Sequence, residues 1–146
     1  MLKPNPPAKA QVMANKTVCD VQGKCPKATQ DIAENTKNRN WTIKKYAYGP
    51  MNPDAANPDF WRKKAELFDT DVEEAKTALC GNCSAFDQTD PMLECMAKGL
   101  EDKNELTDPW RLIVAGNLGY CQLFHFKCAG SRTCDAWVHG GPLRGC

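Results

Sequence analysis

Two cysteines separated by two residues, Cys80-Gly81-Asn82-Cys83, are where residue type and spacing first point to chemistry in this chain. That spacing lets both sulfurs face one centre, and thiolate sulfur is a soft ligand suited to iron or zinc. Cys121 follows, and then Cys134 with twelve residues between the two. Four thiolates are the complement of a [4Fe–4S] cubane, one per iron. The same four can also hold zinc, but zinc ribbons usually pair two short-spaced knuckles and only one stands here. Nine cysteines in 146 residues admit a disulfide framework as a third reading, although an odd count cannot pair completely.

The other five cysteines are less specific. Cys19 and Cys25 flank Gly23 and are spaced to close a small loop as a disulfide in an oxidising setting, or to remain two thiols. Cys95 is by spacing a rival to Cys121 as third ligand, and its pairing with Cys128 is open. Cys146 is terminal and expected free. His125, close after Cys121, is a candidate to tune or ligate a cluster, or an ordinary surface histidine. Neither His125 nor His139 has the partners of a catalytic base. Four cysteines on a cubane leave no iron open to substrate, so enzymatic activity is not expected. Phe86, Tyr120, Phe124, Phe126 and Trp137 are expected to form the apolar shell that keeps water from such a cluster. In so small a domain, an ordinary core draws on the same residues.

These residues need elements to position them. Residues 1–58 hold seven of the ten prolines with many Asn and Lys, which reads as an extended N-terminal arm. Within it, Lys27–Thr36 suggests a short helix and Trp41 to Tyr48 a short strand, with turns at residues 48–53 and at Asn57-Pro58. From Phe60 the pattern turns helical, with Trp61, Ala65 and Phe68 on one face. Thr70 and Glu73 fit a capping box for a second helix whose face is Val72, Ala75 and Leu79. Pro91 to Leu100 reads as a third helix. Asp108 and Pro109 fit the N-cap and first position of a fourth, ended by Gly116 and Gly119. A loop-rich stretch follows, and no internal repeat is present.

Three phrases around the cysteines resemble the high-potential iron–sulfur proteins (HiPIPs). They are Cys80 to Phe86 (CGNCSAF), Cys121 to Phe124 (CQLF) and Cys134 to Val138 (CDAWV), in that family's order. The resemblance covers about 35 residues within 80–138. It implies a small irregular α+β, loop-rich domain at 59–146 holding a [4Fe–4S] cluster on Cys80, Cys83, Cys121 and Cys134, and the family's one-electron carrier role. The 37 residues between Cys83 and Cys121 exceed the family spacing, the excess reading as a helical insert at about 90–118. Family members usually carry an export signal. Here Met1 to Pro7 shows no apolar run and no small-residue cleavage pattern.

The charge is divided. Residues 1–50 carry nine basic and three acidic side chains, a balance of +6, and the remainder ten and fifteen, a balance of −5. A basic, Pro-rich arm is suited to docking on a larger protein assembly or to wrapping its own domain. Nucleic acid is the less favoured partner. No stretch approaches the roughly 18 apolar residues of a membrane span. The chain also resembles small proteins of marine tailed phages in the run from Tyr48-Gly49-Pro50 to the C-terminal Gly140-Gly141-Pro142. That resemblance implies a structural virion component made in the cytoplasm, in tail, baseplate or capsid, with the cluster as a staple.

Overall fold

The computed structural model describes residues 25–100 and 108–144. They form a small α+β unit of short helices around a three-stranded antiparallel sheet. The helices are α1 (Lys27–Gln30), α2 (Ile32–Tyr46), α3 (Pro58–Leu67), α4 (Val72–Ala75), α5 (Asp90–Leu100) and α6 (Pro109–Gly116). The strands are β1 (Phe86–Asp87), β2 (Leu118–Cys121) and β3 (Phe126–Ala129), with β2 central. No helix among the described residues is long and apolar enough to cross a membrane.

The described part of the expected extended arm is folded instead. Residues 41–46, read as strand from sequence, belong to α2, the longest helix among the described residues. Asp31 caps it by accepting from the Glu34 N–H at 3.1 Å, and Ala47 closes it in the left-handed region (φ 51°). The short helix expected over Lys27–Thr36 appears as α1 and the start of α2. The inner face of α2 is largely polar, which is why apolar periodicity did not carry it on to Tyr46. Asn35 Oδ1 accepts from the Lys127 N–H at 2.7 Å, and Asn38 Nδ2 donates to the His125 carbonyl at 2.7 Å. Thr42, fully buried, turns its hydroxyl back onto the Asn38 carbonyl at 2.8 Å. Asn35, Asn38, Thr42 and Tyr46 therefore share one face at helical spacing. Tyr48, just beyond, is buried in the same core as Phe68 and Phe126, so the core crosses the boundary expected at residue 58. Residues 1–24 lie outside the described residues.

Capping signals were more legible. Asp108 accepts from the Trp110 N–H at 3.0 Å, and Pro109 opens α6 as expected. The expected Thr70–Glu73 box shifts by one residue: Asp71 accepts from the Glu74 N–H at 2.7 Å. The stretch expected to be loops contains the β2–β3 hairpin, which pairs Leu118 with Ala129, Gly119 with Cys128 and Cys121 with Phe126.

The sheet separates two cores. One, on the side of α3 and α4, gathers Phe68, Phe86, Phe126 and Trp137. The other gathers Ala28, Met92, Met96, Ile113 and Tyr120 under α5 and α6. A disulfide joins Cys25 to Cys95, tying the chain before α1 to α5. This corrects the expected Cys19–Cys25 loop, because Cys25 is engaged across 70 residues of sequence and Cys19 lies outside the described residues. The packing explains the choice. Helix α1 lies directly on α5, so closely that a Cβ at Gly99 would sit 1.6 Å from the Thr29 carbonyl oxygen.

Candidate metal centre

Cys80, Cys83, Cys121 and Cys134 line one cavity in the first core, although they come from three separate segments. Cys80 opens a 3₁₀ turn (Cys80–Asn82). Its N–H donates to the Arg132 carbonyl at 2.5 Å, and the Gly81 N–H to the Gly130 carbonyl at 3.0 Å. These bonds lash the short-spaced pair to the segment leading into Cys134. Cys83 follows as the turn closes, its N–H donating to the Cys80 carbonyl at 2.9 Å. Cys121 ends β2, and the β1–β2 pairing of Phe86 with Cys121 brings the two phrases together.

Asn82, which sequence reading passed over, organises the turn. Its Oδ1 accepts from the Leu79 N–H at 3.1 Å and from Trp137 Nε1 at 3.0 Å, while its Nδ2 donates to the Thr77 carbonyl at 2.7 Å. Trp137 is thereby held against the Cys80 turn from beyond Cys134. Two backbone N–H groups point at sulfur: Val138 donates to Cys83 Sγ and Phe124 to Cys121 Sγ, each at 3.4 Å. Such bonds favour thiolate over thiol. Burial works the other way. It pushes the Cys83 thiol up to about 11 and the Cys121 thiol up to about 12, with the neighbouring cysteines adding to both. Burial raises Cys134 and Cys128 as well. Thiols this reluctant to ionise need a compensating positive charge to become ligands.

Of the expected shell, Phe86, Phe124, Phe126 and Trp137 line the cavity. Tyr120 does not, and its placement is a correction. Strand alternation sends Gly119 and Cys121 to the cavity face, so Tyr120 between them points to the second core. There its hydroxyl and His125 Nδ1 share a hydrogen bond of 3.2 Å. His125 stands in the left-handed region (φ 59°) and is not on the cavity wall. Cys95 is likewise withdrawn as a ligand by its bond to Cys25. Cys128 was missed: it is 2% exposed and faces the cavity from β3. Thr42 and Tyr48 of the former arm also reach the wall.

The space inside is small, about 20 Å³. Its polar groups are already used. Thr42 is bonded to Asn38, and the Tyr48 hydroxyl accepts from the Ala129 N–H at 3.0 Å. What remains facing inward is sulfur and hydrocarbon. Among the described residues, no three His, Cys, Asp or Glu side chains gather closely enough to enclose a single ion. Set against family models, curated proteins and solved structures, the chain matches none.

Proposed function

We propose that this chain binds one [4Fe–4S] cluster through Cys80, Cys83, Cys121 and Cys134. The observation that carries the reading is the convergence of four cysteines from three segments on one apolar cavity. The two N–H groups aimed at Cys83 and Cys121 sulfur support it, as does a wall of aromatic rings that excludes water. A single zinc ion at about 2.3 Å from each sulfur would draw the sulfurs to within about 4 Å of one another. A cubane, with its irons at separate corners, accepts a wider ring. When bound, the cluster supplies a covalent cross-link and one-electron chemistry.

The role we infer is that of a staple. The cross-link would join the Cys80 turn, the end of β2 and the Cys134 loop, three segments that meet at this cavity. Attachment to a larger assembly, a phage virion on the sequence resemblance, belongs to the same proposal. Electron transfer is a second reading, and a specific observation favours it. Phe124 on the cavity wall stacks on Tyr46 at 4.7 Å between centroids and meets Trp41 at 5.7 Å, and Trp41 is 48% exposed. Rings thus run unbroken from the cavity to the surface.

Anaerobic expression with iron, sulfide and visible absorption measurements tests the centre. About four irons per chain with broad absorption near 400 nm are expected. A colourless protein holding one zinc, or none, would overturn the cluster assignment. Trp41→Ala then separates the roles: a staple keeps its stability and iron, whereas a carrier loses electron-exchange rate severalfold at unchanged cluster content.

A further inference from the structure

Five thiols, not four, face the cavity, and the fifth is held in place by the fold. Cys128 sits on β3, and alternation puts it on the same face as Phe126. Opposite it in the ladder is Gly119, which has no side chain to cover it. A Cβ at Gly119 would lie 2.5 Å from the Phe86 ring, so that bare position is a condition of the packing. Cys128 and Cys80 line the same cavity. Their adjacency follows from the backbone, because the Cys80 and Gly81 N–H groups are bonded to the carbonyls of Arg132 and Gly130. These lie only four and two residues beyond Cys128.

Resting on the cluster reading above, we propose that Cys128 is an alternate ligand of the centre, able to take the iron of Cys80 when Cys80 is displaced or removed. The Cys80 turn is the ligand-bearing segment whose backbone is bonded to the residues just beyond Cys128, whereas Cys83 and Cys121 sulfur accept from backbone N–H groups. The contrary explanation is that Cys128 is a small buried hydrophobe, as free cysteine often is, and the two predict different outcomes.

The experiment uses the full chain and its variants Cys80→Ala, Cys121→Ala, Cys128→Ala and the double variant Cys80→Ala/Cys128→Ala. Each is reconstituted anaerobically with ferrous iron and sulfide, and folding is followed by circular dichroism. Cys121→Ala should lose the cluster. Cys80→Ala should keep at least half of the iron with an altered visible spectrum, and the double variant should fall to the Cys121→Ala level. Cys128→Ala should load fully but release iron to a chelator severalfold faster than the parent chain, because no thiol waits to recapture it. A folded Cys80→Ala as empty as Cys121→Ala would overturn the proposal, as would a double variant that holds as much iron as Cys80→Ala. Should Cys80→Ala fail to fold, an unchanged release rate in Cys128→Ala overturns it. A parent chain that takes up no iron sinks the cluster reading itself, before any variant is compared.

Discussion

Asn82 is the clearest case of a residue whose importance lies in what it holds. Its side chain makes three hydrogen bonds, to Leu79, Trp137 and Thr77. Asn82 is exposed, and Trp137 Nε1 keeps its bond to the Leu79 carbonyl at 2.9 Å, so Asn82→Ala should cost only about 1 kcal/mol. Urea unfolding of the metal-free chain should show it as a lower midpoint with unchanged slope. Lys64 and Asp135 make a second test. They are ion-paired beside Cys134, with side chains 3% and 33% exposed. Asp135→Ala leaves an enclosed ammonium unpaired and should cost about 3 kcal/mol or more; Lys64→Met leaves a carboxylate that water can reach and should cost less. Equal costs would mean that burial of Lys64 does not decide the energetics. The thiols add a pH dependence. In the reduced, metal-free chain, burial lifts Cys83 from 9.0 to about 11 and Cys121 to about 12. The folded state then holds protons that the unfolded chain releases, so stability is unaffected below about pH 9 and falls as pH rises above it. The loaded protein, whose sulfurs are ligands, should show no such fall. A flat profile for the metal-free chain would count against buried thiols.

Among the elements, the Cys25–Cys95 disulfide decides how α1 meets α5. It closes a loop spanning 70 residues that contains α2, α3 and the Cys80 turn. Cys95→Ser should therefore lower stability by about 2–4 kcal/mol through the freer unfolded chain. Helix α1 should remain against α5 at moderate temperature, because Ala28, Met96 and Ala97 still pack there and Gln30 Nε2 still donates to the Cys95 carbonyl at 2.5 Å. A thermal melt with and without reductant checks the parent chain. The shift expected on reduction should vanish in Cys95→Ser. Helix α2 shows the opposite strategy, being fixed to β3 by asparagines rather than by an apolar stripe.

For the molecule as a whole, the segment ahead of the cysteines builds part of the cavity wall. Thr42 and Tyr48 line the cavity, and Asp135 beside Cys134 donates its N–H to the Tyr46 carbonyl at 2.7 Å. Deleting residues 1–24 should leave iron content unchanged, since the described wall is built from residues between Thr42 and Trp137. Deleting residues 1–50 should abolish iron binding along with cooperative unfolding. Iron retained after the longer deletion would mean that the centre assembles without α2. An attachment role, if it lies in the basic half, is then to be sought in residues 1–24 and on the outer face of α2.

The short-spaced Cys80–Cys83 pair and the helix beginning at Pro109 were legible because each rests on local spacing or on capping chemistry that a few neighbouring residues determine. The strand alternation that excludes Tyr120 from the shell was in principle legible too, once residues 118–121 are taken as a strand. Other features depended on parts of the chain that meet only in three dimensions. Cys25 pairs with Cys95, and not with its neighbour Cys19, because α1 packs on α5. Cys128 faces Cys80 because β3 returns beside the 3₁₀ turn. The helix expected to end near Thr36 runs on to Tyr46, where Asn35 and Asn38 find partners on the hairpin. Proximity across tens of residues is set by packing, and polar side chains that find their partners only in the folded state leave no periodic trace in the chain.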